Sequence, residues 1–297
     1  MDRSKAHPFA FAALLLGNVA LAFGPWLVRL SDVGPVAAGF WRLAIAVPFL
    51  WMLARGVGQP VRWPSKALIV AIIGAAMFFA ADLASWHAGI HLTKLGNATL
   101  FGNFASFAFA AYGLWLIRSW PTPMQAAALL LAAGGTLLLM WESYDLSPKN
   151  LRGDLLALLA GLLYTGYLIL IERARAALKP LPVLALATTA GAPALLLLSL
   201  ALGEQLWPTD WTPLLILALS SQVLGQGLLV YAIGVLPPLI VGLALLTQPA
   251  ISALTGWLGY GETLSPLDWV GAVAIGVALV LVRLPARRLQ PSADGAS

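Results

Sequence analysis

The chain of 297 residues lacks cysteine and has few charged residues, since Asp, Glu, Lys and Arg make up only 10% of it. The lack of cysteine excludes disulfides, thiolate nucleophiles and cysteine-bound metals. Soluble domains usually carry about 25% charged residues, so the composition excludes a soluble enzyme, a disordered chain and a nucleic-acid-binding protein. The net charge of +5 is instead typical of a membrane protein whose cytoplasmic loops are rich in Lys and Arg.

Hydrophobic residues make up 60% of the chain, and the mean hydropathy is +0.87. A helix needs about 20 mainly apolar residues to cross a bilayer. With turn-rich segments such as 31–35, 119–123 and 142–150 as boundaries, the sequence predicts an all-α integral membrane protein with ten membrane-spanning helices. The predicted spans are 9–29, 35–54, 67–90, 96–117, 123–141, 153–171, 182–202, 212–233, 238–258 and 267–283.

The basic residues predict the orientation in the membrane, because Lys and Arg concentrate on the cytoplasmic side. With the amino terminus inside, the cytoplasmic segments contain Arg3, Lys5, Arg55, Arg62, Lys66, Arg118, Arg173, Arg175, Lys179, Arg283, Arg287 and Arg288. The opposite side contains only Arg29, Lys94, Lys149 and Arg152. The bias predicts a multi-pass plasma (inner) membrane protein with both termini in the cytoplasm.

The ten predicted spans divide evenly at the 142–150 loop into residues 1–145 and residues 146–297, the latter with a short cytoplasmic tail. Five spans are an odd number, so the second half must enter the membrane from the opposite side. The sequence therefore predicts two inverted-topology repeats in one structural unit, which is typical of secondary transporters with a substrate site between the halves. At an offset of about 145 residues, Asn103 falls on Gln248.

Two segments resemble a known family. Residues 246–282, LTQPAISALTGWLGYGETLSPLDWVGAVAIGVALVLV, have a mid-helix Pro, a Gly-Glu turn and a Gly-spaced last helix. Residues 34–50, GPVAAGFWRLAIAVPFL, have a Pro before an Arg just inside the membrane. Both are similar to the EamA type of the drug/metabolite transporter superfamily, a resemblance that covers essentially residues 9–283. It implies ten helices in an inverted arrangement and a secondary exporter of small metabolites, most like the YddG-type exporters of aromatic and other amino acids.

Ionisable groups inside a bilayer are costly and are functional candidates. Arg42 and Asp82 lie roughly 10 Å and 12 Å from the predicted outer ends of spans two and three, at 1.5 Å per residue. An ion pair between them is expected, either as a structural clamp or as a gate or anchor for a substrate carboxylate. His87 and His91 share a helix face, but Asp82 points about 140° away from His87, so no metal site is expected. For His87 two roles are left open: a mouth-lining or proton-sensitive group, or a packing group at the interface.

Carboxamides and aromatic side chains in apolar helices are candidates for a substrate cavity. Asn103 and Gln248 would face each other across the repeat axis, although each could instead form an interhelical hydrogen bond worth about 0.6 kcal/mol. Gln222 and Gln226, four residues apart, share a helix face. The predicted substrate-binding residues are Asn18, Trp86, Asn103, Tyr164, Gln222, Gln226, Tyr231 and Gln248.

These features predict a secondary active or facilitative transporter that exports small amphipathic metabolites, in the first place aromatic or neutral amino acids, by alternating access. The sequence has no GxxxxGK[ST] phosphate loop for ATP-driven transport. With three His, no Cys and no clustered acid and base, it does not predict an enzyme. The alternative is a multidrug exporter, in which an aromatic cage and a lone acid would bind quaternary cations. No cofactor or metal is expected. The expected partners are a small-molecule substrate and membrane lipid, and the protein is expected to be a monomer.

Overall fold

Helices make up the regular structure of the residues that the computed structural model describes, which are 8–60, 64–118, 120–141, 147–251, 254 and 265–283. No strand occurs within those residues. The helices are α1 (Pro8–Ala22), α2 (Gly24–Leu30), α3 (Pro35–Gly56), α4 (Lys66–Leu92), α5 (Leu95–Gly102), α6 (Phe104–Leu116), α7 (Pro123–Met140), α8 (Leu151–Arg175), α9 (Pro180–Ala201), α10 (Thr212–Leu217), the π-helix π1 (Ala218–Gly225), α11 (Gln226–Ile233), α12 (Pro238–Leu245) and α13 (Pro266–Arg283).

Seven helical segments in the described residues are long and apolar enough to cross a membrane. Their bounds are Phe9–Leu30, Pro35–Gly56, Lys66–Leu92, Asn97–Leu116, Leu151–Arg175, Pro180–Ala201 and Thr212–Ile233. Three further apolar helices are shorter, at Pro123–Leu139, Pro238–Ile251 and Pro266–Val282. The predicted all-α membrane class is therefore confirmed. Some residues of these predictions lie outside the described residues: most of the end of predicted span nine, the GETL part of the closing segment, Arg287 and Arg288.

Three predicted spans, expected to be continuous helices, are interrupted. The first breaks at Phe23, directly before Gly24 and Pro25, because the Pro has no N–H to continue the helix. The fourth breaks at Asn103, whose Nδ2 donates to the Thr99 carbonyl at 2.7 Å. The ninth breaks at Leu246, where Pro249 cannot donate to the carbonyl one turn earlier. Asn103 and Leu246 have the same backbone angles, φ −67° and ψ −6°.

The eighth predicted span also departs from a regular α-helix. Residues 218–225 form the π-helix π1 between α10 and α11. Its hydrogen bonds reach one residue further along the chain than those of an α-helix, and such turns occur frequently at functional sites. Side chains four residues apart across π1 therefore do not share a face as they would in an α-helix.

The helices pack in pairs that join the two halves of the chain. α3 contacts α9, α6 contacts α12, α7 contacts α13, α4 contacts α8, and α1 contacts π1 and α11. Glycines allow the close approach of several pairs. A Cβ on Gly17 would lie 3.0 Å from the Gly225 carbonyl oxygen, and one on Gly161 would lie 2.9 Å from that of Gly102. These pairs enclose a cavity.

Candidate functional site

A cavity of about 90 Å³ lies among α1, α3, α4, α5, α6, α8, α11 and α12. Its walls come from residues before and after the 142–150 loop. The lining residues are Leu21, Arg42, Phe79, Asp82, Leu83, Trp86, Thr99, Gly102, Asn103, Ala105, Ser106, Ala160, Gly161, Tyr164, Gln226, Leu245 and Gln248.

Arg42 is the positive charge of the cavity, and it is only 3% exposed. Its Nε donates to Oε1 of Gln222 at 3.2 Å, and Nε2 of Gln222 donates in turn to Oγ1 of Thr188 at 3.0 Å. The guanidinium also lies 5.7 Å from the centre of the Phe79 ring, in the range of a cation–π contact. These contacts orient the guanidinium while leaving donors that can face the cavity.

Asp82 is the negative charge of the same cavity and is 7% exposed. Among the residues that the structure describes, no side-chain or backbone donor hydrogen-bonds its carboxylate, and no nitrogen of Arg42 lies within 4.0 Å of it. The two side chains attract each other electrostatically without direct contact. The expected ion pair is therefore not formed in this structure, and a functional coupling of Arg42 and Asp82 stays a prediction.

An aromatic wall supports this charged region. Phe79 stacks on Tyr167 with ring centres 4.5 Å apart, and Tyr164 stacks on Tyr167 at 5.5 Å. Gln226 joins the two tyrosines, because its Nε2 donates to the Tyr164 hydroxyl at 3.1 Å and its Oε1 accepts from the Tyr167 hydroxyl at 3.2 Å. The wall holds Gln226 and Tyr164 in fixed positions at the cavity surface.

Asn103 and Gln248 both line the cavity. Asn103 donates to the Thr99 carbonyl of α5, and within the described residues no donor reaches its Oδ1. The amide of Gln248 likewise has no hydrogen bond from or to the described part of the chain. Trp86 lies beside them, packed so closely on Gly102 that a Cβ there would be 3.2 Å from the indole Nε1. The structure thus brings together seven predicted residues: Arg42, Asp82, Trp86, Asn103, Tyr164, Gln226 and Gln248.

Four other predicted residues lie outside the cavity lining. Gln222 is fully buried behind Arg42. Asn18 is also fully buried, and its Nδ2 donates to the Ala244 carbonyl at 2.6 Å and to Thr247 Oγ1 at 3.2 Å. Tyr231 packs edge-on against Phe9, with ring centres 6.1 Å apart. His87 is fully buried, with its Nδ1 3.0 Å from the Pro35 carbonyl oxygen, which ties α4 to the start of α3.

Two residues that hold Arg42 and Gln222 in place at the site were not predicted from the sequence. Phe79 contacts the Arg42 guanidinium, and its position three residues before Asp82 on α4 could have indicated it. Thr188 anchors Gln222 from α9, and nothing in the sequence near Thr188 marks that contact. Among the described residues, no group of three His, Cys, Asp or Glu side chains could hold a metal ion.

The fold matches that of a solved protein crystal structure. The two share 18% sequence identity with a TM-score of 0.77, over 94% of this chain and 98% of the other. At that identity the match establishes the fold alone. The helices of the chain therefore adopt a known fold.

Residues 151–284 match the model of the EamA-like transporter family. Over those residues the resemblance to the EamA type predicted from the sequence is confirmed. The chain is also 30% identical over 167 residues to the threonine/homoserine exporter RhtA of Escherichia coli (strain K12). It is 29% identical over 167 residues to RhtA of Salmonella typhimurium (strain LT2). Each alignment covers 56% of this chain and 57% of the relative. The family and these relatives are transporters, not enzymes.

Proposed function

We propose that the protein is a secondary carrier that exports small neutral amino acids across the inner membrane by alternating access, acting as a monomer. The observation that carries the proposal is the placement of Arg42 and Asp82 on one cavity between the two halves of an EamA-like chain. The relatives named as exporters of threonine and homoserine support the same class of substrate.

The proposed architecture is ten membrane helices in two inverted repeats, residues 1–145 and 146–297, with both termini in the cytoplasm. Equivalent helix starts in the two halves support it: Pro8, Pro35, Lys66, Leu95 and Pro123 are followed in the same order by Leu151, Pro180, Thr212, Pro238 and Pro266. The packing of α3 on α9, α6 on α12 and α7 on α13 is the pairing that a twofold axis between the halves would produce.

The chemistry of the cavity suits a zwitterion. A guanidinium binds a carboxylate with two parallel hydrogen bonds, so Arg42 is assigned to the substrate carboxylate. The Asp82 carboxylate, which no described donor occupies, is assigned to the ammonium group. Among the described residues, the Asn103 Oδ1 and the Gln248 amide have no hydrogen-bond partner, so they can bind the remaining polar atoms. Trp86 and Tyr164 contact an apolar or hydroxylated side chain.

A quaternary cation is the competing substrate class, because Asp82 shares the cavity with aromatic rings that attract cations. The buried charge of Arg42 on the same cavity would repel a substrate that carries only positive charge. A zwitterion satisfies both charges, so it is favoured over the cation.

The test is counterflow into liposomes that contain the purified protein. Threonine, homoserine, phenylalanine and a quaternary ammonium dye are compared, with and without a pH gradient. We expect saturable exchange of a neutral amino acid, abolished by Asp82→Asn and unchanged by the control Asp210→Asn in the 202–211 loop. Exchange of the dye but of no amino acid would overturn the assigned substrate class. Non-saturable flux would overturn the carrier mechanism.

A further inference from the structure

Two equivalent loop contacts hold the starts of α3 and α9. Gly58 follows the end of α3 with φ +67°, and Gly203 follows the end of α9 with φ +66°, a left-handed conformation that glycine adopts without strain. In each case the next residue donates its N–H back into the helix, Gln59 to Ala54 at 2.7 Å and Glu204 to Ser199 at 3.0 Å. This is the Schellman arrangement, and it directs the side chain of the following residue toward the other half of the chain.

The two side chains then bind the start of each other's helix. Glu204 Oε2 accepts from the Ala37 N–H at 2.8 Å, and Oε1 accepts from the Val36 N–H at 3.3 Å, both at the start of α3. Gln59 Oε1 accepts from the Leu181 N–H at 3.4 Å, at the start of α9. We name the contact of Glu204 with Val36 and Ala37 the Glu204 clamp, and that of Gln59 with Leu181 the Gln59 clamp.

The Glu204 clamp has more and stronger contacts. A carboxylate at a helix N-terminus is favoured by the helix dipole, whereas a neutral amide gains less. Helix α3 offers two N–H donors after Pro35, but α9 offers only Leu181, because the following Pro182 has no N–H. The difference between the clamps is therefore encoded in Glu204 and Pro182.

Further contacts among the described residues reinforce the Glu204 clamp. The Gly34 N–H donates to the Gln205 carbonyl at 3.0 Å, and Trp41 Nε1 donates to the Leu206 carbonyl at 2.6 Å. The Trp41 ring lies 5.3 Å from that of Trp207. At the end of the segment, the Thr209 N–H and hydroxyl both donate to Asp32.

We propose that the Glu204 clamp is the gate on its face of the carrier, the outer face in the proposed orientation, and that the weaker Gln59 clamp is its counterpart on the other face. This inference rests on the proposed carrier function. The imbalance keeps the outer side closed at rest, so that the cavity is open more often toward the cytoplasm, where an exporter loads its substrate. Opening to the outside requires that Glu204 release the Val36 and Ala37 N–H groups.

The test reads the conformation directly with a reporter cysteine in a chain that has no native cysteine. Ser106→Cys places the thiol on the cavity lining. Its reaction with a membrane-impermeant maleimide is measured from each face of oriented vesicles. Glu204→Gln keeps the shape of the side chain and removes its charge. Labelling from the outer face should therefore rise about two- to fivefold, which is the change in equilibrium that the loss of one charge at a helix terminus produces. Gln59→Glu should lower labelling from the inner face.

The control is Gln205→Ala in the same loop, because among the described residues that side chain hydrogen-bonds only the Trp207 carbonyl. This substitution should leave both labelling rates unchanged. Unchanged outer labelling in Glu204→Gln would overturn the proposal. Labelling needs no substrate. A rise in outer labelling of Glu204→Gln in a protein that exchanges no amino acid would therefore refute the proposed function alone. Amino-acid exchange by a protein whose labelling does not change in Glu204→Gln would refute only the proposal that the clamp is a gate.

A second variant covers the case in which Glu204→Gln does not fold. The pair Asp32→Cys and Thr209→Cys joins two side chains that are hydrogen-bonded in the structure. If the clamp is a gate, oxidation of this pair should stop exchange and a reductant should restore it. Full exchange through a protein with the disulfide formed would overturn the proposal.

Discussion

Gly135 of α7 and Gly271 of α13 lie against each other's backbone, so that a Cβ on either would come within 2.6 Å of the other's carbonyl oxygen. The relationship is reciprocal, as expected where two equivalent helices cross on a symmetry axis. Helix pairs in membranes associate through such small residues, because lipid provides little hydrophobic drive between apolar surfaces. The glycine pair therefore sets how closely the ends of the two proposed repeats approach.

Replacing Gly135 or Gly271 with Ala should lower the stability of the protein by about 1–3 kcal/mol, because the methyl group forces the helices apart. The measurement is unfolding in mixed detergent micelles. The matched controls are Gly134→Ala and Gly276→Ala, where the added Cβ would meet no described atom beyond its own stretch of helix within 4 Å. They should be neutral or stabilising, since Ala favours helix over Gly by up to about 1 kcal/mol. Equal losses at all four positions would contradict the close crossing.

Arg42 and Asp82 should behave as a coupled pair although they do not touch. Arg42→Gln or Asp82→Asn alone leaves one buried charge without its counterpart, while the double variant removes both. We expect the loss of thermal stability in the double variant to be smaller than the sum of the single losses, with a coupling of about 0.5–3 kcal/mol. Additive losses would show that each charge is stabilised independently.

Asn103 and Gln248 should affect substrate affinity more than folding. Asn103→Leu and Gln248→Leu each remove a polar surface from the cavity, so the KM for a transported amino acid should rise while the melting temperature changes little. Asn18→Leu is the contrast, because Asn18 is buried in contacts to Ala244 and Thr247. It should lower the melting temperature and leave the KM near the wild-type value. Normal transport by the double Leu variant would show that neither amide belongs to the substrate-binding site.

The proposed topology predicts which face each of two positions occupies. Single cysteines at Pro148→Cys and Gln290→Cys can be labelled selectively, because the native chain has none. Position 148 should react with an impermeant reagent from outside the cell and position 290 only from inside. Labelling of both from the same side would contradict two halves with an odd number of helices.

The contact between Asp32 and Thr209 should weaken only in acid. Hydrogen bonds from the Thr209 side chain and backbone lower the pKa of Asp32 below its ordinary value of 3.8. A lowered pKa means that the stabilisation is complete above the ordinary value and is lost as the pH falls through the lowered one. The difference in melting temperature between wild type and Asp32→Asn should therefore be constant near neutral pH and shrink below about pH 3.8. A difference that changes near pH 7 would point to another group.

Helix periodicity predicted part of the cavity correctly. Asp82 and Trp86 are four residues apart on α4 and both line it, as i and i+4 positions on a regular helix should. The same reasoning did not hold for Gln222 and Gln226, because π1 ends between them. Gln222 binds Arg42 behind the cavity and Gln226 lines it, a separation that no sequence pattern near these residues indicated.

The sequence by itself determined the membrane class, the approximate helix limits and the two buried charges. Those properties depend on composition and on the cost of transferring each segment into lipid, which are local. Only the tertiary structure determined which residues contact each other. Arg42 hydrogen-bonds Gln222, 180 residues away, and Glu204 binds the start of α3, 167 residues away at Ala37. Such contacts follow from how the helices pack on each other, and packing depends on shape across the whole chain, which no single segment specifies.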